Sequence, residues 1–127
     1  MEFTLTDRLI GEFQAGVLQV SPDAEKGYRP LETFVSSMAG CSGHVLKKIL
    51  DKKRLEYKDI TIEAAAERDA DRANRISSLE LTFTIHDLSR EMTDSQFSQI
   101  SKLVLSNCGM LQTISDSVDV TLLTKAG

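Results

Sequence analysis

An α+β fold is the class this sequence predicts, and three observations predict it. Residues 33–43 carry no charged side chain, which marks a helix sheltered from water on most sides. Two later runs, Ile60/Ile62/Ala64/Ala66 and Leu79/Leu81/Phe83/Ile85, alternate apolar with polar residues. That is the period of antiparallel strands with one face packed on helices. Helical spacing then returns at Phe97, Ile100, Leu103 and Val104, before a last alternating run at Val118, Val120 and Leu122. Strands grouped apart from helices in this way build an α+β domain rather than an alternating α/β one.

The elements follow in order. Phe3 and Leu5 alternate with polar neighbours, and Leu9, Phe13, Val17 and Val20 continue as short strands, with Gly11 and Gly16 read as breaks. Residues 21–27, opening Ser21-Pro22-Asp23, form a loop. Pro30 then starts a helix, because its missing N–H would have no intrahelical partner there, and Glu32 in the first turn complements the dipole. Beyond His44 the helix becomes amphipathic. Val45, Leu46, Ile49 and Leu50 make its apolar stripe, and the cations ending at Lys53 suit its C-terminal end. The charge-dense residues 68–75 are an exposed loop between two strands. Thr93 with Gln96 three residues on is a capping box that opens the next helix. Asn107-Cys108-Gly109 interrupts it, and a short helix follows over 110–114 before the final strand.

Length and composition narrow the function. The chain has 127 residues, which suits one domain spanning 1–127. Its net charge is −4 and Trp is absent, so neither clustered cations for phosphates nor a stacking platform for bases is on offer. No nucleic-acid partner is expected. Residues 1–10 lack the apolar run of a signal peptide, and no stretch is long enough to span a bilayer, so no membrane role and a cytoplasmic location are expected. In that compartment two cysteines are either buried apolar residues or a reactive pair, not a structural cross-link.

Those two cysteines are the residues with chemistry to offer. Cys41 lies in the uncharged stretch Met38-Ala39-Gly40-Cys41-Ser42-Gly43-His44. Read alone, it is a small buried filler or a thiol whose pKa is lowered by a nearby cation or dipole. His44, one helical turn on, is either that neighbour or an ordinary surface residue. Cys108, at the junction of two helices, is either a buried cap residue or a second thiol at the mouth of a pocket. Spacing does not say whether the two sulfurs meet. Cys41, His44 and Cys108 make too few ligands for a metal, and no phosphate loop or nucleophile elbow occurs, so neither metal nor cofactor is implied.

Residues 29–43, with Pro30, Glu32 and Ala39-Gly40-Cys41, resemble the start of the long helix in the OsmC/Ohr family. The stretch Lys48-Ile49-Leu50-Asp51-Lys52-Lys53-Arg54-Leu55 looks like its continuation. Residues 60–68 and Ser106-Asn107-Cys108 are similar to the family's later strand and second cysteine. The resemblance covers nearly the whole chain and is weakest before residue 28. It implies an OsmC-like fold in which antiparallel sheets wrap around long buried central helices of an intertwined homodimer. It also implies thiol-dependent reduction of organic hydroperoxides in defence against oxidative stress. Carried over, Cys41 is the peroxidatic thiolate, Cys108 the resolving thiol and Glu32 the catalytic carboxylate, with an external dithiol as reductant.

The sequence also departs from the family pattern. Leu31 follows Pro30 and Glu32 comes one later, which in a helix turns the carboxylate by about 100°. Glu32 is then either the catalytic partner or a helix-start charge. The family's N-terminal Arg has two candidates here, Arg8 and Arg29, each also readable as a surface charge. The departure motivates an alternative on the same scaffold, a non-catalytic homodimer that binds a small molecule or senses redox state with a degenerate site.

Overall fold

A computed structural model describes residues 1–127. They form two compact units, Met1–Ser37 and Met38–Gly127.

The first unit holds a three-stranded antiparallel sheet of β1 (Phe3–Leu5), β2 (Leu9–Phe13) and β3 (Gly16–Val20), in that order. Gly11 does not break it. It sits mid-strand in β2, opposite Phe3 and Leu18. A Cβ there would lie 2.8 Å from the Phe3 ring and 2.9 Å from the Phe13 ring, so glycine is what lets the two rings close over the strand. Gly16 is a genuine turn glycine, with φ +140° at the start of β3. The sheet leaves Leu5 and Val17 largely in solvent, at 75% and 59% exposure, and Phe3 and Phe13 part-exposed. The loop after β3 is tied down by Ser21 Oγ, which accepts from the Asp23 N–H, and by the Tyr28 N–H donating to the Gln19 carbonyl. Helix α1 (Pro30–Lys52) starts in this unit, with Pro30 in its first turn as expected.

The second unit contains the rest of α1, a second sheet and two further helices. α1 buries Met38, Ser42, Leu46 and Leu50, a stripe at i, i+4 spacing. Its end is set by Arg54 in the left-handed region (φ 56°). The Leu55 N–H donates to the Leu50 carbonyl and the Arg54 N–H to the Asp51 carbonyl, each at 3.0 Å, the bonding pattern of a Schellman cap. β4 (Ile60–Asp69) pairs antiparallel with β5 (Arg75–Ile85), Ile60 opposite Ile85, with a register shift at Glu67/Arg68. Between them is a single 3-10 turn, Ala70–Arg72, capped by the Asp69 carboxylate.

One expectation is corrected in this sheet. The strands are not all antiparallel. β6 (Asp119–Ala126) runs parallel to β5, from Ser78 opposite Asp119 to Ile85 opposite Ala126. The reason lies in the connection. α2 (Asp94–Asn107) and α3 (Gly109–Ile114) intervene between β5 and β6, and a helical crossover returns the chain to the end from which β5 began. β5 is therefore the central strand. Its Leu79, Leu81, Phe83 and Ile85 are essentially inaccessible, and with Met38, Leu46, Leu50, Phe97, Ile100, Val104 and Leu111 they are the core. The edge strand β4 is less covered: Ile60 and Ile62 are half-buried and Ala64 is exposed.

α2 opens with the expected capping box. Thr93 Oγ1 accepts from the Gln96 N–H, and the Gln96 side chain accepts from the Thr93 N–H. Its buried stripe differs from the expected one at one place. Ser101 is inside, bonded to Thr124 Oγ1 at 2.7 Å, while Leu103 is 43% exposed. In the chain by itself, only Met38 and Ser42 of the uncharged segment 33–43 are buried, and Ser36, Ser37 and Gly40 are open. No helix is long and apolar enough to cross a membrane.

Candidate active site

The middle of α1 and the junction of α2 with α3 bring the two cysteines together. Cys41 lies on α1 one position before the buried Ser42, and is half-buried. Cys108 is the residue between the two later helices and is fully buried. It ends α2, its N–H donating to the Val104 carbonyl, and it precedes α3, its carbonyl accepting from the Gln112 N–H. Both cysteines are free thiols. Their side chains are neighbours, each shifting the pKa of the other.

The start of α3 supplies the rest. The first N–H groups of a helix have no intrahelical acceptor. Cys108, the residue before α3, makes no side-chain cap to them. The Met110 and Gly109 N–H groups lie near Cys41. They lower the Cys41 pKa below the ordinary thiol value, Met110 most. The Cys108 S–H adds to the effect, burial opposes it, and the Lys48 ammonium two turns along α1 contributes a smaller push in the same direction. Cys108 moves the other way. Burial raises its pKa, helped by the neighbouring Cys41 sulfur and partly offset by the Leu111 N–H. The two thiols are thus split into an accessible, acidified sulfur and a buried, protonated one.

The other sequence candidates have their own partners. His44 is exposed, and its Nδ1 donates to the Gly40 carbonyl at 3.0 Å, so the cation acting on Cys41 is Lys48 rather than His44. Glu32 is in the first turn of α1, in the first unit. Its carboxylate accepts from the Arg29 backbone N–H at 3.0 Å and from the Arg29 guanidinium at 3.0 and 3.1 Å, which holds it below the usual carboxylate pKa. Arg8 donates to Gln19 Oε1 at 2.9 Å and pairs with Asp7. The contributions of Gly109, Met110 and Lys48 were missed from the sequence. Lys48 was findable, since i+7 returns to the same helix face. The N–H donors were not, because they depend on where α3 points.

Residues 23–123 match the family model for OsmC-like protein. The chain belongs to the OsmC-like family. Solved structures agree on the fold of this OsmC-like chain. A hypothetical protein of Aquifex aeolicus superposes with a TM-score of 0.84 at 23% identity, covering 99% of this chain and 93% of that one. An organic hydroperoxide resistance protein OsmC of Legionella pneumophila gives 0.71 at 14% identity, covering 99% and 94%. The organic hydroperoxide resistance protein OhrB of Bacillus subtilis gives 0.70 at 15%, covering 98% and 95%. At such identities the likeness carries the fold and not the activity. No curated protein matches the sequence.

Proposed function

We propose that this OsmC-like protein reduces organic hydroperoxides, using Cys41 as the attacking thiolate and Cys108 as the resolving thiol. The observation that carries the reading is the opposed environment of the two sulfurs: the nearby Met110 and Gly109 N–H groups lower the pKa of the half-buried Cys41, while burial raises that of its fully buried neighbour Cys108. Relatives of the same fold named for organic hydroperoxide resistance support the substrate class.

The Cys41 thiolate attacks the outer peroxide oxygen, the O–O bond breaks, and the alkoxide leaves as alcohol after taking a proton. Cys41 becomes a sulfenic acid. The Cys108 sulfur, after losing its proton, attacks the Cys41 sulfur and expels water, closing a disulfide. An external dithiol then reduces that disulfide by two exchanges. One hydroperoxide and two thiols become one alcohol, one water and one disulfide. Glu32, clamped by Arg29, is assigned as the carboxylate of the same machinery.

The active form in this reading is a homodimer in the cytoplasm. Phe3, Leu5 and Phe13 lie part-exposed on one face of the first sheet, and the open small residues Ser36, Ser37 and Gly40 leave α1 accessible to another backbone. Steady-state turnover tests the reading. With dithiothreitol as reductant, wild type consumes tert-butyl hydroperoxide catalytically and Cys41→Ser does not. Equal consumption by the two proteins would remove it.

A further inference from the structure

Cys108 lies at a break between two helices, and a break needs something to hold its angle. α2 ends at Asn107 and α3 starts at Gly109, with Cys108 between them in extended backbone (φ −91°, ψ 107°). A helix of six residues has too few internal bonds to be stable alone, so ties to its neighbours set its direction. One tie is Leu111, fully buried in the core. A single anchored side chain fixes a place but not an angle.

The second tie is Gln112. Its backbone N–H donates to the Cys108 carbonyl at 2.9 Å, which forms the first turn of α3. Its side-chain Nε2 reaches back across the break and donates to the Leu105 carbonyl at 2.7 Å. Leu105 is in the last turn of α2, where carbonyls have no donor within the helix. The carbonyl before it, of Val104, accepts from the Cys108 N–H at 3.0 Å. Gln112 thus closes a ring that runs from Leu105 through Cys108 and back, with the cysteine inside it. The other polar side chains of the junction do not do this. Ser106, Asn107 and Thr113 each bond four residues back, to Lys102, Leu103 and Gly109, and stay within one helix.

We infer that Gln112 is a positioning residue of the thiol site: by locking the angle between α2 and α3 it keeps the Cys108 sulfur in bonding reach of Cys41. It acts through the backbone of Cys108. The inference rests on the thiol-pair reading of the site but not on the oxidant, since any oxidant that joins the two sulfurs reports their placement.

The equilibrium of the pair with glutathione, measured on the full chain, tests it. Glutathione disulfide takes two electrons from the reduced pair, Cys41 and Cys108 join, and two glutathione thiols carry off the protons. Gln112→Met, at an exposed position, keeps the side-chain length and helix propensity but removes the donor. The equilibrium constant for the Cys41–Cys108 disulfide should fall about fivefold, the size expected of one neutral hydrogen bond. Thr93→Ala removes a bond at the far end of α2. It should lower the urea midpoint yet leave the constant within about twofold of wild type. Circular dichroism establishes that both variants are folded. A Gln112→Met constant within about twofold of wild type, an equal fall in Thr93→Ala, or no Cys41–Cys108 disulfide in wild type at any glutathione ratio would overturn the assignment. Absent hydroperoxide turnover beside a lowered Gln112→Met constant would remove the peroxidase reading and leave this one standing.

Discussion

Cys41, on α1, and Cys108, at the α2–α3 junction, lie close enough for each thiol to shift the pKa of the other although 67 positions separate them in sequence (108 less 41). Sixty-odd residues of sheet and helix thus converge on one sulfur pair. Because the surroundings pull the two pKa values in opposite directions, the pair is asymmetric before any oxidant arrives, and the asymmetry yields distinct expectations for each sulfur.

The pH dependence of alkylation should separate them. The Cys41 pKa is lowered, so its thiolate persists to lower pH than that of a free cysteine, and each unit of lowering raises the thiolate fraction at neutral pH about tenfold. Iodoacetamide at pH 7 therefore modifies Cys41 well ahead of Cys108, whose pKa is raised. The linkage to stability has a definite sign. Ionised Cys41 stabilises the fold above the unfolded thiol pKa, and that contribution is lost as pH falls through the lower folded value. Peptide mapping after timed alkylation checks the order of reaction.

Lys48→Gln removes the only ammonium acting on Cys41. The inflection of Cys41 alkylation should move to higher pH, and the rate at pH 7 should drop by about two- to threefold, since an exposed charge is partly screened. Raising the salt concentration slows wild type toward the variant and leaves the variant nearly unchanged. Equal rates at low salt would show that the helix N–H groups act alone.

Cys108→Ala separates attack from resolution. Without the second sulfur, oxidation by one equivalent of cumene hydroperoxide should stop with one oxygen added to Cys41, and excess peroxide should carry it further up the oxidation series. Loss of the Cys108 S–H also raises the Cys41 pKa and slows the first step. Intact-mass spectrometry reads both the added oxygen and the rate.

The Thr93–Gln96 capping box predicts a plain stability effect. Thr93→Ala leaves the Gln96 N–H without its acceptor, and should cost about 1 kcal/mol in urea denaturation. Leu81→Ala, in the fully buried centre of β5, should cost about 3 kcal/mol or more in the same measurement.

Glu32→Gln tests the carboxylate assignment. The substitution weakens the clamp with Arg29 and removes the charge, so hydroperoxide turnover should fall about tenfold. Disulfide formation between Cys41 and Cys108 driven by diamide, which needs no peroxide activation, should proceed as in wild type. Unchanged turnover would leave Glu32 as a helix-start charge.

Much of this was legible in the sequence because it depends on local rules. The capping box at Thr93, Pro30 in the first helical turn, the alternation in β4 and β5 and the break at Cys108 are all short-range patterns, and each element appears where its pattern stands. What was not legible depends on approach in space. Gly11 signals a break by propensity, yet here it makes room for two aromatic rings. The parallel pairing of β6 follows from the helical crossover, not from the alternation of Val120 and Leu122, which is the same in either direction. Leu103 fits the apolar stripe by spacing, but the stripe drifts around the helix and Ser101 takes its place inside. In the site, both cysteines could be named from sequence, whereas the Met110 and Gly109 donors follow only from the direction of α3.

Everything functional turns on the oxidant passing through Cys41 to Cys108. Reduced protein given one equivalent of an organic hydroperoxide, quenched within seconds and digested without reductant, answers that question by mass spectrometry. The expected product is a peptide pair joined by a Cys41–Cys108 disulfide, with two thiols lost per hydroperoxide consumed. Recovery of both cysteines as free thiols, or equally fast hydroperoxide loss with Cys41→Ser, would contradict it.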